Sequence, residues 1–334
     1  MQDQDADNLI CIAGDPILGD RAHGEGRSRD TSVLHRAKMD AVAALLRRTR
    51  GAFTLAKYSL NTHRLVLSTD RLGGRPLFWT VRDGFVIFAG TRRLILGLPG
   101  LSHALDLKGT AEVLAFGIAL DERTEFEGMQ LLQGGRLLDI CGGNVRRVEY
   151  WNWTAEVGPP AADAPEFHRR LHEEFITGMR FRLRKRSWAF AALSGGLDSR
   201  CVVTALRQLG VAVHSLNVSW RDSLDQLIGR EYASRVGSEH HEIVLAEADR
   251  ASYSVMPLCS TEMARLAPNL AATEGFGRQI WGGDDGSISV GFVYVSTECV
   301  AALRRGGRCS CSGAVFPGKW CDDQPLHTAL RAAR

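Results

Sequence analysis

The hydrophobic positions of the chain follow two regimes. Up to about residue 155 they come in short β-prone runs, at 52–58, 64–68, 76–81 and 84–89, separated by turns such as Arg82-Asp83-Gly84. That is the pattern of sheet hairpins. Two helical periodicities interrupt them, over 34–48 and 108–116, the second preceded by Asp106 as an N-terminal cap. The first half is therefore expected to be α+β. Beyond residue 165 the period changes: 166–183 reads as an amphipathic helix, 188–193 as a buried strand and 198–209 as a helix. A second strand over 211–218, a helix over 224–236 and a third strand over 241–245 follow. Strands alternating with helices at this spacing predict a parallel sheet with crossover helices. Between the regimes, Gly158-Pro159-Pro160-Ala161-Ala162-Asp163-Ala164-Pro165 reads as a linker, because its prolines forbid helix interior and its small residues pack little.

Composition narrows the class. At roughly 100–200 residues per domain, 334 residues make one large domain or two ordinary ones, and 45% hydrophobic content with a net charge of +3 excludes a disordered chain. No stretch reaches the roughly 18 apolar residues that cross a bilayer, and Asp3, Asp5 and Asp7 stand where a basic leader would lie. A soluble, cytoplasmic protein with no membrane partner is the expectation. The 41 basic residues are opposed by 38 acidic ones, which argues against a nucleic-acid partner. The densest basic stretch, Arg180 to Arg186, reads as a solvated helix face, with phosphate contact as the alternative. Cys11, Cys141, Cys201, Cys259 and Cys299 are expected to be small buried residues. Cys309, Cys311 and Cys321 with His327 lack the paired spacing of structural zinc sites.

The most informative residues are Ser194-Gly195-Gly196-Leu197-Asp198-Ser199, between an apolar strand and an amphipathic helix. Adjacent glycines let the backbone turn sharply and bring its N–H groups to an anion, the serines add hydroxyl donors, and the helix presents its positive end. A phosphate fits this chemistry, although the same residues would also serve simple chain reversal and capping. Neither the Walker loop, with its lysine, nor the dinucleotide fingerprint is present.

This six-residue motif resembles the pyrophosphate loop of ATP pyrophosphatases, most closely that of the asparagine synthetase family, which includes β-lactam synthetases and lasso-peptide cyclases. The resemblance implies that Ser194, Gly195, Gly196, Leu197, Asp198 and Ser199 bind ATP through its pyrophosphate, and that Leu216, Asn217 and Val218 contact adenine through the second strand. Trp281-Gly282-Gly283-Asp284-Asp285-Gly286-Ser287 resembles the family's second glycine- and acid-rich loop. It implies that Gly283 and Asp284 lie over the pyrophosphate and that Asp198 and Asp284 contact Mg2+. Ile288-Ser289 stands where the family has an acidic pair.

The first half resembles the family's glutaminase domain through Gly51-Ala52-Phe53 and through Asp70-Arg71-Leu72-Gly73-Gly74-Arg75-Pro76-Leu77-Phe78-Trp79, where a strand ends in an Asp-Arg turn and re-enters the sheet. A working glutaminase of this type needs cysteine at the mature amino terminus, because the free amine is the base for the thiol. Aligning Ile12-Ala13-Gly14 with the family's opening strand puts Ile10 at the nucleophile position, with Cys11 one residue late and read as a buried strand residue.

The fold implied is an α+β, N-terminal-nucleophile-like αββα sandwich followed by an α/β parallel-sheet nucleotide domain of the ATP pyrophosphatase, Rossmann-like type. Residues 8–153 would be a degenerate glutaminase-like domain, 165–303 a truncated ATP-binding domain and 304–334 an atypical tail. The implied activity is ATP-dependent amide formation through an acyl-adenylate, without glutamine hydrolysis. The acceptor would be a small-molecule carboxylate, and the amine would be ammonia, a group of the substrate itself or part of a precursor peptide. A macrocycle-forming ligase and a non-catalytic ATP-binding scaffold are the alternatives, and a homodimer stays open. Arg200 adds a charge without an assigned target. The Cys/Gly/Arg-rich end, with Lys319 as its one lysine, reads as a truncated or frame-shifted terminus or a divergent extension.

Overall fold

A computed structural model describes residues 2–4, 7–18, 27–156, 162–184, 186–245 and 280–283. The chain divides at Lys185 and Arg186 into two units.

In the first unit the strands are β1 (Gln2–Gln4), β2 (Asn8–Gly14), β3 (Ile17–Leu18), β4 (Thr49–Arg50), β5 (Phe53–Ser59), β6 (Arg64–Thr69), β7 (Phe78–Arg82), β8 (Phe85–Ala89), β9 (Gln130–Leu131), β10 (Arg136–Cys141) and β11 (Asn144–Glu149). Its helices are α1 (Arg27–Arg36), α2 (Val42–Arg47), α3 (Arg92–Leu96), α4 (Leu107–Phe116) and α5 (Ala164–Leu183). Six strands form an antiparallel sheet in the order β1-β2-β5-β6-β10-β11, and a second sheet has the order β8-β7-β9.

Strand alternation divides the core in two. Ile10, Ile12, Phe53, Leu55, Val66 and Leu137 face α1 and α2 through Leu34, Val42 and Leu46. On the opposite face Leu67, Leu138 and Ile140 meet Leu77, Trp79 and Leu132 of the second sheet and its flank. Complete burial of Leu34 and Leu46 contributes roughly 1.5–3 kcal/mol each. The turn between β7 and β8 is Asp83-Gly84, both at positive φ (48° and 79°), as a two-residue hairpin requires. Asp106 caps α4 by accepting the Gly109 N–H at 2.8 Å.

Several sequence expectations are revised. The helix expected over 34–48 is two helices separated by extended Lys38. The cause is Lys57 of β5, fully buried, whose ammonium donates to the carbonyls of Leu34 (3.0 Å), His35 (2.5 Å) and Ala37, closing the C-terminal end of α1. The 76–81 strand begins at Phe78. After the Asp70 turn the chain crosses to the second sheet instead of re-entering the first. Cys11, Cys141 and Cys201 are exposed, not buried; Cys259 and Cys299 lie outside the described residues. Cys11 faces away from Ile10 and Ile12 on a strand near the sheet edge, beyond the area that the three-stranded sheet covers.

Helix α5 falls in the first unit. Asp163 caps it by accepting the Glu166 N–H at 2.8 Å. Beyond its end, Arg184 pairs with Asp15 at 3.1 Å and with buried Asp30 at 3.0 Å. Of the dense basic stretch, Arg180, Arg182 and Arg186 are exposed, while Arg184 is held by these acids.

The second unit contains β12 (Trp188–Ala192), α6 (Leu197–Gln208), β13 (Ala212–Trp220), α7 (Leu224–Val236), β14 (Glu239–Leu245) and β15 (Ile280–Trp281). All four strands are parallel, in the order β14-β13-β12-β15. The second strand runs two residues past its expected end. No helix among the described residues is long and apolar enough to cross a membrane.

Candidate functional site

In the order β14-β13-β12-β15, the chain steps one way from β12 through β13 to β14, whereas β15 pairs on the other side of β12. The carboxyl ends of β12 and β15 therefore flank a topological switch point, where open parallel sheets bind their ligands. The loop Leu193–Gly196 leaves β12 there and Gly282-Gly283 leaves β15 beside it.

The two serines of the loop hold its shape. Ser194 N–H donates to Ser199 Oγ at 3.1 Å, the hydroxyls of Ser194 and Ser199 lie 3.0 Å apart, and Gly196 N–H donates to Ser194 Oγ at 3.1 Å. Neither glycine adopts a positive φ, so the sharp-turn reason for them is corrected. Gly195 serves close approach instead: a Cβ there would meet Asp225 Oδ1 and Leu224 O at 3.1 Å. Gly196 is the N-cap of α6, exposed, and a Cβ there would meet only Ser194 Oγ, at 3.2 Å. It leaves open the approach to the helix N-terminus, where backbone dipoles favour an anion. Leu197 and Asp198 open the helix, Leu197 with 67% of its surface exposed, and Ser199 is buried.

Gly283 lies against that first turn. A Cβ on it would fall 2.5 Å from the Ser199 nitrogen and 2.7 Å from the Asp198 carbonyl carbon. Only glycine lets the two loops meet. Asp284, expected to hold a metal with Asp198, lies outside the described residues, as do Lys319, Cys309, Cys311, Cys321 and His327.

On β13, Leu216 and Asn217 are buried and Val218 is half-buried. The ladder to β12 ends at Ala192 opposite Leu216, so from Val218 onward that edge of β13 has no strand partner among the described residues. The Asn217 side chain points elsewhere, donating to Leu193 O at 2.8 Å and Asp225 O at 3.0 Å; it ties the strand to the loop and to α7. Arg200 finds a local role, with Nε on Gly196 O at 3.2 Å and its guanidinium over the Tyr232 ring.

Sequence reading missed Asp225. Its Oδ1 accepts the Gly195 N–H at 2.9 Å from the first turn of α7, some 30 positions along the chain. No local motif announces this contact. Only the Ser223 cap, accepting from Gln226 N, marks where that turn begins.

Comparison with known proteins now bears on both units. A glutamine amidotransferase domain model matches residues 20–151, and an asparagine synthase model matches residues 171–263. The order of the two matches, an amidotransferase domain followed by an asparagine synthase domain, makes the chain similar to the asparagine synthetases. Its relatives include asparagine synthetase [glutamine-hydrolyzing] 3 of Bacillus subtilis (strain 168), 25% identical over 184 residues, covering 54% of this chain and 30% of the relative. The asparagine synthetase [glutamine-hydrolyzing] of Gallus gallus is 26% identical over 231 residues, covering 64% and 38%. The chain thus spans about a third of the length of these family members. A solved NMN synthetase from Francisella tularensis is similar at 17% identity over 39% of this chain and 59% of that one. Its TM-score of 0.27 adds nothing to the fold described above.

Proposed function

We propose that the protein is an ATP-dependent amide-forming ligase that activates a carboxylate as its acyl-adenylate, releasing pyrophosphate and then AMP. The observation that carries this reading is the meeting of Gly283 with the first turn of α6 at the switch point, beside a loop that opens onto a helix N-terminus. Ser194, Gly195, Gly196, Leu197 and Ser199 would hold the pyrophosphate, and the unpaired edge of β13 near Val218 would receive adenine. Asp198, a hard oxygen donor in that first turn, fits a magnesium ion, which Asp284 would share. Bound there, magnesium would supply charge neutralisation of the triphosphate. The chain's own contribution is positioning: amides and hydroxyls fix the leaving pyrophosphate so that a substrate carboxylate can attack the α-phosphorus in line.

The same reading assigns no glutamine hydrolysis to the first unit, where α1 and α2 on one face of the six-stranded sheet, the three-stranded sheet on its other face, and α3 in contact with β7 and β8 support the αββα sandwich of N-terminal nucleophile enzymes. Ile10, at the aligned nucleophile position, is buried in the core. Cys11 sits mid-strand, paired with Gln2 on one side and Ala56 on the other. The amine would then be free ammonia or a group carried by the substrate or a precursor peptide.

The test is ATP–pyrophosphate exchange with aspartate, a panel of other carboxylates and precursor peptides, run beside a glutaminase assay. Exchange without glutamate release is expected. Absence of exchange with intact ATP binding would leave a scaffold in place of a ligase, and measurable glutaminase activity would refute the account of the first unit.

A further inference from the structure

The geometry points to a site for one divalent transition-metal ion, zinc by its donor chemistry, formed by His214, Glu239 and His241 and clamping β13 to β14. It is the one group of three or more His, Cys, Asp or Glu side chains with converging ligand atoms among the described residues, each atom within 4.8 Å of the others. It does not depend on the nucleotide loop.

The strand register builds it. His214 is paired with Glu239 and Leu216 with His241 across the parallel β13–β14 ladder, so alternation sends all three side chains to one face. This is the face of Phe190 and Leu216, opposite to the one on which Asn217 reaches α7. His214 Nδ1 lies 3.3 Å from Glu239 Oε2, and His241 Nε2 lies 3.4 Å from Glu239 Oε1. These separations run to the two different oxygens of Glu239, and one ligand atom from each residue lies within 4.8 Å of the others. Ligand atoms of a tetrahedral zinc stand about 3.3–3.4 Å apart, so a side-chain shift of about 1 Å would bring the three onto one ion.

A second observation concerns His241 itself. Its Nε2 is buried and has no hydrogen-bond partner, although a buried ring nitrogen ordinarily finds one. The two imidazoles stack at 5.8 Å with 18° between their planes, and the His214 ring is further fixed by Phe190 at 5.1 Å. Two imidazoles and one carboxylate favour zinc and its neighbours over magnesium or calcium, which prefer oxygen donors. Glu239, with 65% of its side chain exposed, keeps the cluster open to solvent, which would supply the fourth ligand.

The experiment uses the full chain with Cys309→Ser, Cys311→Ser and Cys321→Ser, which removes the other ligand-rich segment, stripped of metal and of any histidine tag. Zinc titrated calorimetrically should bind at one equivalent. Cobalt(II) substituted for it should give the visible absorption of a four-coordinate ion. His241→Ala and Glu239→Gln should each weaken zinc by at least about tenfold and abolish that absorption, with circular-dichroism melts of the metal-free proteins unchanged. Should His241→Ala fail to fold, the exposed Glu239→Gln carries the test alone. Failure of the parent to bind zinc, or equal affinity in Glu239→Gln, would overturn the proposal and leave the cluster a stacked ion pair.

Discussion

Two glycine-rich turns follow strands in this protein, and they look alike until one asks what fills them. In the first unit, Asp70-Arg71-Leu72-Gly73-Gly74 follows β6; in the second, Ser194-Gly195-Gly196 follows β12. Both gather backbone N–H groups. In the first, the amides of Phe53 (3.1 Å), Leu72 (2.9 Å) and Gly74 (3.2 Å) all donate to the carboxylate of Asp70, which is itself part of the turn and 2% exposed. That nest carries its own anion. In the second, one amide donates to Asp225, a residue of another helix, and the N-cap at Gly196 stays exposed toward the helix end. A Gly-Gly turn thus signals convergent amides. What separates the two turns is what their amides already hold. Three donate to the buried Asp70 carboxylate in the first. In the second, one donates to Asp225 and those of Ser194 and Gly196 donate to serine hydroxyls, which a stronger anionic acceptor can replace.

The contrast can be tested at three strengths. Asp70→Ala should have the largest effect, because the buried amide of Phe53 and the part-buried amides of Leu72 and Gly74 lose their acceptor. At roughly 1–3 kcal/mol for a buried unsatisfied group and less for the other two, a loss of about 2–3 kcal/mol is expected. Urea unfolding of the first-unit signal would show it, and a loss below about 1 kcal/mol would mean that water replaces the carboxylate. Gly283→Val comes next. Its side chain would strike the Ser199 nitrogen, separating the two loops, and ATP affinity should fall about tenfold, roughly 1.4 kcal/mol, in equilibrium dialysis. Unchanged affinity would remove the β15 loop from the site. Asp225→Asn should have the smallest effect: it keeps an acceptor for Gly195 while removing a negative charge from the loop. Pyrophosphate should bind a few-fold tighter, of order 0.5–1 kcal/mol. Weaker binding would show that the carboxylate shapes the loop more than it repels the ligand.

How much of this was legible depended on how far each determinant lay along the chain. Helix α7 spans Leu224–Val236 as its period predicts, because its Ser223 cap and its end at Gly237, φ 68°, are local signals. The break between α1 and α2 was not legible, since it is made by Lys57, some 20 positions away in the middle of a sheet. The glycines of the nucleotide loop were visible but their reason was not: Gly195 answers to Asp225 on α7, and Gly283 to Asp198 across a parallel ladder. Exposure of Cys11 followed from the width of the second sheet, which no single strand encodes. The two residues of β15 are too few to show a period, although they decide where the switch point lies.

Titration of the purified full chain with ATP, in parallel with Gly196→Leu, tests the central claim most directly. A Cβ at this exposed N-cap meets only the Ser194 hydroxyl, at 3.2 Å, which a shift of a few tenths of an ångström relieves, and the side chain beyond it would occupy the approach to the start of α6. The account predicts saturable ATP binding by the parent and at least a tenfold loss, about 1.4 kcal/mol, in the variant at an unchanged melting temperature. Equal affinity in both proteins, or no ATP binding by the parent, would contradict it.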